Sequence, residues 1–298
     1  MLRILDARTS EPVPAAPARR GLTRIATHAS GLDPTALRVM LTADLLVRAL
    51  ELGGTPVWTI LTAPRDQPEL RTAATHLAIR PFEDDRDLAS GLGEAQMIHV
   101  ARQPTAGGRD PGPGERAEGA APDPSPEERG EGPSAAGSRG ERAGEARPAG
   151  GPTGDPVPES SGGGPLAAVA PVEWAGPQPS LPVLLADPAA LRLALLSVPR
   201  HQPARLDGGA LDRAAEQLAD WRRAMAGWAR QPSRPVPEPV RERLRAAWEN
   251  DLDLPGVLDV LRDVASTPDL TDGARFETYA YADRLLALDL ARDLGSLA

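Results

Sequence analysis

The fold of this chain is decided by residues 22–62, which read LTRIATHASGLDPTALRVMLTADLLVRALELGGTPVWTILT. Leu22–His28 alternates and is rich in β-branched residues, and Val57–Thr62 is a continuous apolar run, so both segments are predicted to be strands. Between them, Asp33-Pro34 supplies an N-cap and a first-turn proline for a helix that ends at Gly53-Gly54. A strand, a helix and a second strand predict a parallel pair with a right-handed crossover, which is half of a Rossmann-like unit.

Further patterns extend this unit in both directions. Leu2–Asp6 is predicted to form another short strand, and Glu69–Ile79 a second helix. The chain after residue 166 is predicted to be helical almost throughout, and prolines at 232, 235, 237 and 239 separate two of its helices. Its predicted helices begin at Asp187-Pro188 and then cover Leu206–Trp228, Val240–Trp248, Pro255–Ala265 and Arg275–Leu286. Short connections favour an antiparallel bundle, so the predicted fold class is α/β plus all-α.

Residues 103–165 differ in composition from the rest of the chain. They are rich in Pro, Gly and charged residues and contain no Leu, Ile, Phe, Trp or Tyr. A segment of this kind cannot bury enough apolar surface to offset the entropy lost on ordering, so we predict a long disordered linker. The predicted domains are therefore a partial Rossmann-like domain at 1–102, the linker at 103–165 and a helical bundle domain at 166–298.

The composition excludes several kinds of chemistry. All 33 positively charged side chains are arginine, and the chain has neither lysine nor cysteine. Enzymes that need a lysine nucleophile are excluded, as are thiol nucleophiles, thiolate zinc sites and disulfides. A GC-rich coding bias would produce the same abundance of Ala, Gly, Pro and Arg. The net charge of -9 argues against a nucleic-acid surface as the main function, because such a surface needs a basic patch.

The sequence shows no cluster that predicts a metal site or a catalytic centre. The four histidines are isolated from one another in sequence, whereas zinc takes three or four nitrogen or sulfur ligands. They are His28, His76, His99 and His201. No stretch reaches the roughly 18 apolar residues of a membrane span, and the start lacks the apolar core of a signal peptide. We therefore expect no metal, no catalytic residue, no membrane association and a cytoplasmic location.

Three strings in the second half of the chain resemble the helical region that follows the catalytic core of cysteinyl-tRNA synthetases and of a related cysteine ligase of mycothiol synthesis. They are DPAALRLALLS at 187–197, ALDRAAEQLADW at 210–221 and NDLDLPGVLDVLRDVA at 250–265. Nearer the start, residues 2–14 resemble the family's opening strand, and residues 24–31 the strand that holds its first zinc cysteine. The resemblance spans residues 1–100 and 178–298 and implies a class I synthetase fold.

The positions that correspond to the family's functional residues carry other residue types. The first zinc cysteine corresponds to a position on or near His28, and the KMSKS loop to residues 176–182, GPQPSLP. The HIGH signature, which contacts ATP in the family, corresponds to four consecutive residues: Asp33, Pro34, Thr35 and Ala36. An aspartate N-cap takes up the free amides and places negative charge where a phosphate would sit. Asp33 is therefore expected to repel a triphosphate.

The loss of these signatures beside the retained helical strings predicts a catalytically inactive paralogue that serves as a scaffold or protein-interaction module. One alternative is a diverged ATP-dependent ligase that activates cysteine or another small acid, with arginines replacing the lost lysines on phosphate. The candidates for that role are Arg38, Arg65, Arg71 and Arg80. Another alternative is a binding protein associated with tRNA or with a synthetase.

The three hypotheses imply different ligands. The inactive paralogue needs no cofactor, and ATP enters only with the ligase alternative. The expected partner of the inactive paralogue is a protein, for example an authentic synthetase. The chain ends at Ala298, where the family's anticodon-reading extension would follow, and its charge is negative. We therefore do not expect tRNA as a partner.

Overall fold

A four-stranded parallel sheet and eight helices are present in the computed structural model, which describes residues 1–17, 22–83, 96–104 and 163–295. The predicted linker at 103–165 lies almost wholly outside the described residues. The described elements, in chain order, are β1 (Arg3–Asp6), β2 (Glu11–Pro14), β3 (Thr23–His28), α1 (Pro34–Leu52), β4 (Val57–Thr62), α2 (Gln67–His76), β5 (Gln96–Arg102), β6 (Leu166–Val169), β7 (Val172–Trp174), α3 (Leu181–Leu184), α4 (Pro188–Leu196), β8 (Ala204–Leu206), α5 (Gly208–Trp228), α6 (Glu238–Glu249), α7 (Leu254–Ser266) and α8 (Asp272–Leu286).

The parallel sheet has the strand order β4-β3-β5-β6. In its register, Ile25 of β3 lies between Thr59 of β4 and Ile98 of β5. The predicted strand–helix–strand unit is confirmed, because β3 and β4 are parallel neighbours joined through α1. Beyond β4, the backbone amide of Glu83 donates to the carbonyl of Thr59 at 2.9 Å, which adds an isolated parallel bridge at that edge.

The fourth strand differs from the expectation that the chain after residue 166 is helical almost throughout. Leu166–Val169 pairs in parallel with β5, in the register that places Leu166 opposite His99, and all four of its residues are buried. The run LAAV is too short and too uniformly apolar for periodicity to distinguish a strand from a helix. The parallel sheet therefore takes one strand from the chain segment after residue 163.

Helix α1 is buried on nearly all sides. One side faces the sheet, and the helix also contacts α2 and α8. A helix that is buried around most of its circumference occupies a core rather than a surface. The core cluster accordingly runs without interruption from Leu37 and Leu46 of α1 to Leu193 of α4 and Leu285 of α8. The sheet and the helices share this core.

Two small sheets extend the fold. β1 and β2 form an antiparallel hairpin, and β7 and β8 pair in parallel. The hairpin is held by the loop between α6 and α7, where the Asp251 carboxylate accepts from the amide of Leu5 at 2.8 Å. Arg200 also connects these parts, since it donates to the carbonyls of Ala168 at 2.6 Å and Leu5 at 2.8 Å and pairs with Asp251.

The predicted helices of the second half are confirmed with shifts of a few residues at their ends. α4 packs against α5, α6 against α7, and α8 against both α5 and α7. Asp253 caps α7, because its carboxylate accepts from the amide of Gly256 at 3.0 Å. Trp221 and Trp248 are buried and belong to the core. Within the described ranges, no helix combines the length and apolar character needed to cross a bilayer.

A buried ion pair joins α1 to α4. The Asp44 carboxylate accepts from Arg192 at 3.1 Å and from Arg48 at 2.8 Å, and the Asp44 side chain is fully buried. Arg192 also donates to the carbonyls of Leu77 at 2.7 Å and Leu286 at 2.6 Å. Arg192 thereby connects α1, the end of α2 and the end of α8 from within the core.

We expect Tyr279 to make the free energy of unfolding decrease at alkaline pH. Its hydroxyl donates to the carbonyl of Leu261 at 2.8 Å, and its ring meets Trp221 and Trp228 edge-on at 5.8 and 5.0 Å. Burial raises the pKa of the Tyr279 phenol above its ordinary value of about 10. The unfolded chain therefore loses this proton first, and the free energy of unfolding should fall as pH rises above about 10.

The measurement is urea unfolding at several pH values between neutrality and pH 11. Tyr279→Phe should reduce the alkaline slope and cost about 1 kcal/mol at neutral pH through the lost hydrogen bond. Tyr281→Phe serves as the control, because it removes a phenol but keeps Tyr279. A slope that is the same in Tyr279→Phe and in the unsubstituted protein would contradict the prediction.

Candidate functional site

The carboxyl ends of β3 and β5 form the edge where a ligand is expected. The chain passes from β3 through α1 to β4 on one side, whereas β5 lies on the opposite side of β3. Open α/β sheets bind ligands outside the carboxyl ends of their strands, where the strand order reverses in this way. The residues at this edge include His28 and Arg102, together with the N-cap of α1.

Two histidines meet on one face of the sheet at this edge. Nε2 of His28 lies 3.2 Å from Nδ1 of His99, and the rings are stacked with centroids 5.5 Å apart. One ring donates a hydrogen bond to the other, since a hydrogen bond between two imidazoles needs one donor and one acceptor. The resemblance assigns the family's first zinc cysteine to a position on or near His28, but two imidazoles are a poor match to the three or four ligands of zinc. Within the described ranges, no three His, Asp or Glu side chains converge on a possible metal position.

The N-terminus of α1 is occupied by Asp33. The Oδ1 atom of this N-cap residue accepts from the amide of Ala36 at 2.7 Å, while Pro34 takes the first helical position. Thr35 does not point into the open edge, because its Oγ1 accepts from the amide of Val172 at 3.0 Å. The four residues to which the resemblance assigns the HIGH signature therefore include the cap of the helix, Asp33, and the anchor of β7, Thr35.

Two arginines lie beside this helix start. Arg102, the last residue of β5, pairs with Oδ2 of Asp33 at 3.0 Å, and each side chain is 36% exposed. Arg65, which follows β4, donates to the carbonyl of Ser30 at 3.4 Å. Its neighbour Asp66 accepts from the amide of Leu32 at 3.2 Å. The loop between β3 and α1 is therefore held by side chains from both neighbouring strands.

Arg38, one of the four arginines expected to replace a lysine, has a structural position. It is 2% exposed and donates to the carbonyls of Ala170, Val198, Pro199 and Gln202 at 2.7–3.1 Å. Burial lowers the pKa of this guanidinium to about 10, so Arg38 remains charged at neutral pH. Its donors hold the residue after β6 and the segment between α4 and β8 against α1 and do not face the candidate site.

Two more of those arginines are also engaged elsewhere. Arg71 donates to the carbonyl of Phe82, and Arg80 pairs with Glu51 on the exposed side of α1. Of the four, Arg65 is the one that lies at the carboxyl edge. Residues 176–182, to which the resemblance assigns the KMSKS loop, contain a bend at Gly176 and the start of the short helix α3.

The sequence missed two residues of this edge. No strand is predicted from the sequence at residues 96–102. Neither His99, which is isolated from the other histidines in sequence, nor Arg102 is therefore placed at this edge. The signal was available in part, since MIHVA is an apolar run of strand length that ends at Arg102. Its pairing with His28 depends on the register between β3 and β5, which no local pattern specifies.

Asp33→Ala is expected to destabilise the protein by about 1 kcal/mol, because the amide of Ala36 loses its cap. Asp33→Asn is the matched control, since asparagine is an equally good N-cap and removes only the charge that faces Arg102. An ion pair this exposed contributes little to stability, so Asp33→Asn should lie within about 0.5 kcal/mol of the unsubstituted protein. Urea unfolding at neutral pH measures both. Equal losses in the two variants would contradict the cap as the cause.

The parallel sheet and its polar carboxyl edge define a Rossmann-like α/β protein. An 80-residue stretch of the chain is 41% identical to the L-cysteine:1D-myo-inositol 2-amino-2-deoxy-alpha-D-glucopyranoside ligase of Beutenbergia cavernae. That stretch is 27% of this chain and 18% of the relative, so the chain matches less than a fifth of the relative's length. No family model matches the chain. This partial similarity supports a relationship to cysteinyl-tRNA synthetase-like ligases.

Proposed function

We propose that the chain is a catalytically inactive relative of cysteinyl-tRNA synthetase-like ligases and acts as a scaffold or protein-interaction module. The observation that carries this proposal is the occupied N-terminus of α1, where Asp33 binds the amide of Ala36 and pairs with Arg102. Helix N-termini bind phosphate through free amides and a positive dipole end. A triphosphate at this position would have to displace an internal carboxylate from both its amide and its arginine.

The charge distribution around the helix start supports the same conclusion. Asp66, which follows β4, brings a second carboxylate into contact with the loop before α1, because it accepts from the amide of Leu32 in that loop. The chain also has no lysine with which to stabilise the charge of an adenylation transition state. The partial similarity to a cysteine ligase supports the proposed ancestry, and the proposed loss of activity rests on these residues.

The test is ATP–pyrophosphate exchange in the presence of cysteine, with an authentic cysteinyl-tRNA synthetase as the positive control. We expect no exchange above a reaction without protein. Melting with and without Mg-ATP gives a second measurement. A ligand at a hundredfold its dissociation constant contributes about 2.7 kcal/mol of stability, so binding would be visible as a raised melting temperature. Measurable exchange with cysteine would overturn the proposal.

The diverged ligase remains the second candidate, and the positions of Arg65 and Arg102 favour it. Both lie beside the start of α1, and arginine binds phosphate well. This alternative predicts stabilisation by Mg-ATP that is lost in Arg102→Ala. Arg223→Ala is the control, because Arg223 is 66% exposed and pairs with Asp220 of its own helix α5. An ATP effect that survives Arg102→Ala would exclude this site as its source.

For the interaction role we propose a protein partner and no cofactor. The net charge of -9 disfavours tRNA, which attracts basic surfaces. A direct test mixes the purified chain with purified cysteinyl-tRNA synthetase and follows the mixture by size-exclusion chromatography with light scattering. Co-elution at the summed mass would support association with an authentic synthetase. Separate elution at micromolar concentrations would exclude a stable complex of that kind.

A further inference from the structure

An exposed proline-rich segment connects α5 to α6. Residues 231–237 read QPSRPVP, and we call them the proline strap. Residues 232–237 form neither helix nor strand, and 231–235 are exposed. Pro237 has φ -56° and ψ 134°, which is the polyproline II region. The segment therefore ends in extended backbone, and its first five residues are exposed.

The sequence of the strap restrains nearly every residue to this conformation. Proline fixes φ near -65°, and Pro232, Pro235 and Pro237 supply three such positions. A residue that precedes a proline is disfavoured in the helical region, which applies to Arg234 and Val236. Polyproline II has three residues per turn, so residues three apart lie on one edge.

The contacts of the strap show which edge faces outward. Ser233 donates its hydroxyl to Glu277 of α8 at 2.6 Å, and Val236, three residues later, is half-buried. This edge therefore faces the protein. Pro232 and Pro235 share another edge, and both are exposed. Three residues of polyproline II span about 9 Å, so we expect the two prolines to form a ridge with this spacing.

The strap is also fixed at both ends. The carbonyl of Pro232 lies so close to Gly273 of α8 that a Cβ there would be 2.0 Å from the oxygen, which only glycine avoids. At the other end, the carbonyl of Pro237 accepts from the amides of Val240 and Arg241 in the first turn of α6. A segment held in this way loses little conformational entropy when a partner binds it.

We propose that the proline strap is a docking site for a protein domain whose groove is lined by aromatic side chains. Such grooves recognise polyproline II ridges with the spacing of Pro232 and Pro235. Arg234 is exposed beside the ridge and selects a groove that carries a carboxylate at its rim. This proposal deepens the interaction role proposed above and rests on it, but its surface uses none of the residues at the edge of the parallel sheet.

The experiment measures binding of the full chain to a panel of purified SH3 and WW domains by biolayer interferometry. At least one domain should bind with a dissociation constant below about 100 μM, and Pro235→Ala should weaken that binding at least about tenfold. Arg234→Glu should weaken it as well. Pro268→Ala is the matched control, since Pro268 is an exposed proline without a ridge partner and should leave binding unchanged.

Two results would overturn the docking site: no domain of the panel binds, or Pro235→Ala binds as tightly as the unsubstituted protein. Circular dichroism of Pro235→Ala should match that of the unsubstituted protein, because the side chain is exposed. Failure here leaves the test of inactivity untouched, since that test depends on ATP and cysteine. Exchange activity with cysteine would overturn the inactive paralogue and would not change the affinity of the strap.

Discussion

Replacement of Asp44 by alanine is expected to lower the free energy of unfolding by about 3–5 kcal/mol. The carboxylate is fully buried and lies between the guanidinium groups of Arg48 and Arg192. It also accepts from the backbone amide of Arg80 at 3.2 Å. The substitution therefore removes three hydrogen bonds from the core in one step.

The larger part of this loss comes from the charge that is left behind. Burial lowers the pKa of Arg192, and the Asp44 carboxylate opposes that shift. Without Asp44, Arg192 keeps its hydrogen bonds to two backbone carbonyls but has no neighbouring anion in direct contact. A buried pair broken on one side costs more than the pair contributes when intact, because an uncompensated charge remains in a low-dielectric interior.

Urea unfolding at neutral pH, followed by circular dichroism, measures this change. Glu51→Ala is the control on the same helix, since Glu51 is 42% exposed and pairs with Arg80, which is 41% exposed. Surface pairs of this kind contribute little, so the control should stay within about 0.5 kcal/mol of the unsubstituted protein. If Asp44→Ala and Glu51→Ala lower the free energy of unfolding by the same amount, the pair of Asp44 and Arg192 stabilises the protein no more than a surface pair does.

Arg38→Met is expected to cost a similar amount, about 3–5 kcal/mol. Methionine fills part of the same volume but offers no donor to the carbonyls that Arg38 binds. Those carbonyls belong to Ala170 and to the turn at residues 198–202. Each buried acceptor that loses its partner costs about 1–3 kcal/mol, and the losses overlap because one side chain serves them all.

Arg38→Lys separates the donor geometry from the charge. A lysine ammonium is compact and has three donors, so it cannot span carbonyls on both sides as the planar guanidinium does. We expect a loss between zero and that of Arg38→Met. Arg205→Met, at a position 82% exposed, should change stability by less than about 0.5 kcal/mol. A loss below about 1 kcal/mol in Arg38→Met would show that water replaces the guanidinium at these carbonyls.

The first half of the sheet was predictable because its signals are local. Asp33-Pro34 and Gly53-Gly54 mark the ends of α1, and the apolar run of β4 has the length of a strand. The strands β5 and β6 were not predicted. The run LAAV of β6 has no period that distinguishes a strand from a helix. Their assignment depends on pairing with β3 and with each other, which is a property of the fold.

The candidate site was predictable only in part for a related reason. The capping role of Asp33 follows from its place before Pro34, and the structure has that bond. The contact of Asp33 with Arg102 joins residues 69 positions apart and has no sequence signature. The buried arginines are the clearest case, because Arg38 lies in a helix pattern where an arginine is normally exposed. Four carbonyls from a later part of the chain make its burial favourable.

The shared core around α1 has a consequence for how the chain is made. Asp44 meets Arg192 after 148 further residues, and the amide of Leu5 meets Asp251 after 246. At a synthesis rate of 5–20 residues per second, the first strand waits ~10–50 s for its contact in the loop before α7. During that interval the residues of α1 that are buried in the folded protein are only partly covered. Folding with contacts this distant in sequence is expected to finish only after Arg192 and Asp251 have left the ribosome, with holdase chaperones shielding the nascent chain until then.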